Sequence, residues 1–555
     1  MYLYDRHDRR IINERVEQYR SQTERYLAGE ISEEQFLPLR LQNGLYIQRL
    51  APMLRIAIPY GMFNSRQLRK LAQITRNYDK GYAHFSTRQN LQLNWPRLEE
   101  VPDILAELAE VEMHAVQTSG NCIRNTTTDQ FAGVAIDEFE DPRPYCEIIR
   151  QWSTFHPEFA FLPRKFKIAV CGSEDDRAAI YSHDIGLELI KKNDQLESGF
   201  KVIVGGGLGR TPVIGSVINE FLEKKHLITY LEAILRVYNR HGRRDNKYKA
   251  RIKILVRAMG VEEFRSRVDE EWKNLKGGSS TLTDTELKRC KDSFTEPQYK
   301  QLDLAGSQLQ LERESNADFE FKHWLKINTH EHRVPGYRIV NLSLKATGYT
   351  PGDVSDKQMD SIADLADCYS FGELRSTHQQ NLVLADVELL DLYQLWEKLK
   401  KLKLATPNLG HLTDVICCPG GDYCALANAK SIPIAEAIQS KFDDLDYLYD
   451  LGPIDLNISG CMNACGHHHI GHIGILGVDK KGQEFYQVCL GGNQGKDPSI
   501  AKILGPSFSQ EDVPNIIEKI LTTYTDLRTA EESFLDTFRR TGIEPFKERV
   551  YAKNN

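Results

Sequence analysis

A chain of 555 residues, 41% hydrophobic and 27% charged, has the composition of a globular protein of several domains. Its net charge of -7 argues against general nucleic-acid binding, and eleven cysteines scattered along so long a chain argue against a disulfide framework and for a reducing compartment, the cytoplasm. The opening MYLYDRHDRRIINERVEQYR is charged throughout, without the apolar core of a signal peptide or membrane span.

In chain order, residues 1–50 predict a solvated helical arm, broken at Gly29 and Gly44. Residues 51–118 follow as a ferredoxin-like unit. Its predicted elements are a strand over 53–58, a turn over 59–64 and a helix over 65–78. Two strands flanking Thr87 to Asn90 come next, then a helix over 98–111 and a strand over 113–117. Residues 119–275 read as a larger α/β domain, and the polar, turn-rich stretch 276–330 as a linker. The same order then returns. A strand over 340–345, a turn at Gly348 to Gly352, a helix over 355–368, a strand pair over 374–386 and a helix over 388–402 make a second ferredoxin-like unit, 331–405. A second α/β domain, 406–555, closes the chain. Residues align as well as elements, Arg88-Gln89-Asn90-Leu91 standing against Gln379-Gln380-Asn381-Leu382. The fold class is therefore α+β, an internally duplicated chain in which each half is a ferredoxin-like piece plus a larger α/β domain.

Only the second half carries the pattern Cys418-x5-Cys424 and Cys461-x3-Cys465, each pair on a Gly-rich turn. Zinc knuckles usually separate paired ligands by roughly two to four residues. The wider first loop suits cysteines that reach separate iron corners of a cubane. Cys417 precedes Cys418 directly, and spacing does not say which of the two is the ligand.

Where the second half has cysteines the first is basic. Arg124 follows Cys122, and Leu162-Pro163-Arg164-Lys165-Phe166-Lys167 leads into apolar Ile168-Ala169-Val170. On a strand Lys165 and Lys167 share a face and repel each other unless an anion lies opposite; the alternative is a charged, solvated sheet edge. A further run, Arg240 to Arg251, reads evenly as a solvated helix face or a polyanion site. Val204-Gly205-Gly206-Gly207-Leu208-Gly209 is too weak a signal for a dinucleotide loop, and its repeat partner Gly491-Gly492 favours a structural turn. With neither an NADPH site nor a flavin site in view, electrons come from outside the chain.

Together, the two cysteine pairs, Arg124-Asn125, the Leu162 to Lys167 segment and the duplicated ferredoxin-like units resemble the sirohaem-dependent nitrite and sulfite reductase family along essentially the whole chain, most closely its assimilatory sulfite-reducing haemoprotein branch. The resemblance implies a 4Fe-4S cluster on Cys418, Cys424, Cys461 and Cys465, with Cys465 also joining it to sirohaem. It implies a substrate pocket of Arg55, Arg124, Lys165 and Lys167, and cofactor contacts from Arg88, Gln92, Arg164 and Asn463. Asn94 takes no role, because relatives carry His there. The activity implied is six-electron reduction of sulfite to sulfide for cysteine biosynthesis, with nitrite to ammonia as the rival. A non-catalytic iron-sulfur carrier or a zinc scaffold is the remaining alternative. The electron donor implied is ferredoxin or a separate NADPH-dependent flavoprotein.

Overall fold

The computed structural model describes residues 4–192 and 197–552. Four five-stranded sheets carry the architecture, two for each half of the duplication. The ferredoxin-like sheets exchange strands. Asp353–Ser355 of the second unit pairs antiparallel with Tyr82–Phe85 of the first, and Met62–Asn64 of the first pairs with Glu373–Ser376 of the second. Met62–Asn64 falls in the expected turn over 59–64, and Asp353–Ser355 falls between the expected turn at Gly348 to Gly352 and the expected helix from 355. They are three residues long, too short for a hydrophobic period to register.

The helix that follows each exchanged strand starts in the same way. Asn64 and Gln67 form a capping box on Ser65–Tyr78, and Ser355 and Gln358 form one on Asp356–Tyr369. Each glutamine also reaches the end of the second helix of its unit, Gln67 Nε2 donating to Val111 O at 3.0 Å and Gln358 Nε2 to Leu402 O at 2.9 Å. The two capped helices pack on one another, with Arg69 against Asp364 and Asp367 and Arg76 against Asp356 and Asp360 across the seam. These pairs are exposed and contribute little each.

The larger sheets match strand for strand. Thr127–Thr128, Ile168–Cys171 and Ile185–Lys191 run parallel, and Ser198–Val204 and Ser216–Glu223 complete the sheet antiparallel. Ile416–Cys417, Leu456–Ser459, Ile473–Lys480, Gln483–Leu490 and Lys502–Ile503 repeat that order.

Three expectations change. The arm is packed rather than solvated: Val16, Tyr19 and Phe36 lie in the core under the ferredoxin-like sheets, and Leu45–Ile47 adds a strand to the first of them. The stretch 113–117 forms no strand, only a bridge between Ala57 and His114, because Gln117 takes a positive φ of 62° and turns the chain away. The linker holds helices Asp284–Lys291, Leu304–Ala317 and Phe319–Asn328, capped by Thr283, Asp303 and Asp318, and it buries Cys290, Leu311 and Trp324.

Gln89 and Gln380 join the four pieces. Both take left-handed φ, 56° and 62°. Gln89 Nε2 donates to Thr128 O of the first large sheet and to Ser376 O of the opposite unit. Gln380 Nε2 donates to Cys417 O and to Phe85 O. Gln89→Leu is expected to strand these buried groups at a cost of about 1–3 kcal/mol, read as a lower urea midpoint; an unchanged midpoint contradicts the joining role.

Candidate active site

A cavity of about 90 Å³ opens where the first ferredoxin-like unit meets both large sheets. Arg55, Arg88, Arg124, Lys165 and Lys167 line it from the first half, and Cys418, Asn463 and Cys465 from the second. The two halves supply opposite walls.

The arginines are held by neutral groups. Arg55 lies opposite Gln92 in the sheet, and its Nε and Nη2 donate to Gln92 Oε1 at 3.0 and 2.6 Å. Arg88 donates to Asn125 O at 2.7 Å and Thr127 Oγ1 at 2.9 Å, and touches His183. Arg124 donates to Gly120 O at 2.7 Å and Thr118 O at 2.8 Å. The nearby carboxylate of Asp184 is already committed, taking Arg251 Nη2 at 2.7 Å and the Lys167 backbone N–H at 2.9 Å. Lys165 and Lys167 precede the strand Ile168–Cys171 rather than lying in it, yet both reach the cavity, because the bridge from Phe166 to Ile123 keeps the segment extended. Burial pushes the Lys165 ammonium down to about 8; Cys465 opposes the shift, and Arg124, Arg251 and Arg164 add to it. Burial pushes Lys167 down further, with Arg88, Lys165 and Arg251 adding.

The second wall is two loops tied together. Asn428 and Ala429 donate their N–H groups to Gly460 O at 2.8 and 3.0 Å, and a Cβ on Gly460 would meet Ala429 O at 2.6 Å, so only glycine fits. Cys418 Sγ accepts the Gly460 N–H at 3.2 Å. Cys417 turns the other way, its side chain in the core of the second large sheet. Cys424 and Cys461 do not line the cavity, but share the loops of Cys418 and Cys465. Burial raises Cys418 to about 12 and Cys461 to about 11, and raises Cys424; Cys465 adds to each. Thiols so placed give up protons only to a strongly bound positive centre. Among the described residues no three His, Cys, Asp or Glu are placed to hold a single metal ion.

Not every expected residue arrives. Arg164 does not line the cavity, although burial and the Arg124 charge depress its guanidinium. The 240–251 run splits: Arg240 and Arg243 pair on the surface with Glu271 and Asp245, whereas Arg251 stands beneath the cavity on Asp184. His84, Thr87, Asn90, Thr118, Gln380 and His467 line the cavity as well. Thr87 and Asn90 flank Arg88 in the repeat, and that position was their signal; His84 had none. Thr87 Oγ1 donates to Cys465 O at 2.8 Å, tying the two walls together.

The donor set fits a polyanion beside an iron-sulfur cluster. Five cations without a free carboxylate take a polycarboxylate, and paired thiols on tight loops take iron.

Comparison with known proteins agrees. Residues 119–276 and 410–555 match the nitrite and sulphite reductase 4Fe-4S domain, and residues 48–111 and 330–402 match the nitrite/sulfite reductase ferredoxin-like half domain. The chain belongs to the nitrite and sulfite reductase family. It is 27% identical, over 89% of its length and 83% of the relative's, to sulfite reductase [ferredoxin] 1 of Mycolicibacterium paratuberculosis. It is 26% identical, over 87% of its length and 80% of the relative's, to the assimilatory ferredoxin-dependent nitrite reductase of Haloferax mediterranei. The solved structure of the Mycobacterium tuberculosis NirA protein shares its fold, with a TM-score of 0.76 and 24% identity over 93% of this chain and 92% of that one. This member of the reductase family is an oxidoreductase, and among its described residues no helix is long and apolar enough to cross a membrane.

Because Lys165 is held at about 8 against an ordinary 10.5, the unfolded chain binds more protons in that window, and the residue's contribution to stability rises with pH through it. The stability of the cofactor-free protein minus that of Lys165→Met is expected to climb from pH 8 to 10.5 in urea titrations. A flat difference contradicts the burial of this charge.

Proposed function

We propose that this chain is an assimilatory sulfite reductase haemoprotein that carries sulfite to sulfide with six electrons. The observation behind this reading is the cationic cavity floored by two cysteine loops. In this role Cys418, Cys424, Cys461 and Cys465 hold a 4Fe-4S cluster, and Cys465 also joins it to sirohaem. When bound, this pair would supply the single electrons of the reduction. Sirohaem's carboxylates fall to Arg88, with Arg164 outside the cavity rim, while Gln92 serves by orienting Arg55. Asn463 steadies the cysteine loop.

The protein's own part is anion binding and proton supply. Sulfite, SO₃²⁻, takes six electrons and eight protons to give H₂S and three waters, so oxygen leaves only as fast as protons arrive. Arg55 and Arg124, as planar forks, suit oxyanion binding, and Lys165 and Lys167, whose ammonium groups burial makes more acidic, suit proton donation. The cation cluster holds developing negative charge without reorganising.

For this role the chain divides into an arm (1–50), a first ferredoxin-like unit (51–118), a substrate and sirohaem domain (119–275), a linker (276–330), a second unit (331–405) and the cluster domain (406–555). The donor proposed is a ferredoxin, supported by the printed names of the relatives; an NADPH-dependent flavoprotein is the alternative. Reduction of nitrite to ammonia is the alternative activity, because both activities occur among those names and one basic pocket accepts either anion.

Turnover with reduced methyl viologen tests this. Sulfite is expected to have the higher kcat/KM, and a preference for nitrite moves the assignment to nitrite reductase. Lys165→Ala and Lys167→Ala are each expected to lower kcat by about 10²-fold or more with the absorption spectrum intact, the usual scale for a lost proton donor. Unimpaired turnover in both contradicts the donor role. Cys418→Ser is expected to lose bound iron and sulfide while Cys417→Ser keeps them, and the reverse result would move the ligand by one position.

A further inference from the structure

Asn94 is 5% exposed, and among the described residues neither its Oδ1 nor its Nδ2 has a hydrogen-bond partner, although both atoms are buried. A buried, unpaired amide works against the fold unless something bound there pairs with it. The side chain lies on the cavity side of its sheet. Leu91 and Leu93 face the core and Gln92 lines the cavity, so Asn94, one residue past the strand Leu91–Leu93, follows Gln92 by the two-residue period.

What stands over that side of the sheet is the loop of Cys424. Burial raises the Cys424 thiol, and the charge of Arg55, opposite Gln92 in the sheet, opposes that rise. Past Asn94, Trp95 packs edge-on against Tyr423, the residue before Cys424, with ring centroids 5.4 Å apart. Trp95 Nε1 donates at 2.6 Å to Tyr82 OH, which lies 3.5 Å from Tyr423 OH. Asp79 fixes this turn of chain by accepting the Trp95 N–H at 2.9 Å. Asn94 thus sits between Gln92, which aims Arg55, and Trp95, which holds Tyr423. Its amide faces the Cys424 loop.

We propose that Asn94 tunes the iron-sulfur cluster through Cys424, its Nδ2–H donating to that sulfur once it is a cluster-bound thiolate; this rests on the reading of Cys424 as a cluster ligand above. A neutral thiol is a weak acceptor and leaves the amide unpaired, whereas a thiolate takes a charge-assisted hydrogen bond. The cluster gains a negative charge when it takes an electron from its donor. An N–H held on its sulfur therefore favours the reduced form and raises the potential. The amide keeps both its protons throughout, so Asn94 acts by position alone.

An amide unpaired in the empty protein and paired in the loaded one gives the test two readouts of opposite sign. In the cofactor-free protein Asn94→Leu, which removes the unpaired group at similar size, is expected to leave the urea midpoint unchanged or raise it. In the loaded protein, redox titration followed by electron paramagnetic resonance is expected to show the cluster harder to reduce in both Asn94→Leu and Asn94→Asp. The equilibrium constant for its reduction is expected to fall about tenfold, which is about 59 mV for one electron, with iron and acid-labile sulfide at wild-type content. A lower urea midpoint in cofactor-free Asn94→Leu overturns the proposal, because the amide would then have its partner in the empty fold. So does a wild-type potential in both variants, and so does loss of the cluster in both, which would mark Asn94 as scaffold. A wild type that binds no iron-sulfur cluster instead overturns the ligand reading, whatever the variants do.

Discussion

Buried positive charge is the constraint on which the rest of this molecule depends. Three arginines and two lysines face one cavity, and the neighbouring carboxylate, Asp184, is spent on Arg251. Two like charges about 4 Å apart cost on the order of 4 kcal/mol at an effective dielectric of about 20. Set against a net folding stability of about 5–15 kcal/mol, such charge is carried only against a counter-charge or by giving up protons, and the depressed Lys165 and Lys167 show the second route. Under the proposed function a polyanionic cofactor and an anionic substrate supply that counter-charge. The neutral partners of the arginines serve the same end: carbonyl and amide oxygens aim each guanidinium without neutralising it.

The duplication places the cysteines opposite that charge. Against the expectation that Arg124 and the Lys165 to Lys167 segment occupy the cysteine positions, sheet register matches Thr128 to Cys417 and Cys171 to Ser459, so Asp129, Ser173 and Arg177 of the first half stand where Cys418, Cys461 and Cys465 stand in the second. Asp129 joins the other two, its Oδ2 accepting from Ser173 Oγ at 2.8 Å and from Arg177 Nε at 2.9 Å. One loop pair closes on itself with an internal ion pair; the other is left open as thiols. The exchanged strands and the reciprocal glutamines hold the two loop pairs in a fixed relation. The large sheets are built alike, yet only one wall has chemistry to offer iron.

Much of this was legible. Two cysteine pairs on glycine turns and the aligned Gln-Asn-Leu segments each carry a local signal, and the duplicated fold follows from them. What escaped did so for physical reasons. Strands of three residues, such as Met62–Asn64 and Asp353–Ser355, carry no periodicity, and their partners lie in the other half. Lys165 and Lys167 read as strand residues because alternation persists in any extended chain; only the ladder beyond Ile168 shows where the sheet begins. The 276–330 stretch read as a linker because its helices bury few side chains beneath a polar surface. His84 reaches the cavity wall with its partner Asp353 in the opposite unit, and no pattern in one chain segment holds that. Cys417 and Cys418 were indistinguishable until one side chain was seen in the core and the other at the cavity.

The central claim is that the open thiols and the cationic wall hold two coupled iron centres. Electron paramagnetic resonance and Mössbauer spectra of the anaerobically purified wild type and Cys465→Ser test it most directly. The account predicts iron and acid-labile sulfide in the ratio of one 4Fe-4S cluster plus one haem iron, with magnetic coupling between the two in the wild type and none in the variant. Uncoupled centres in the wild type, or coupling that survives the loss of Cys465, would contradict it.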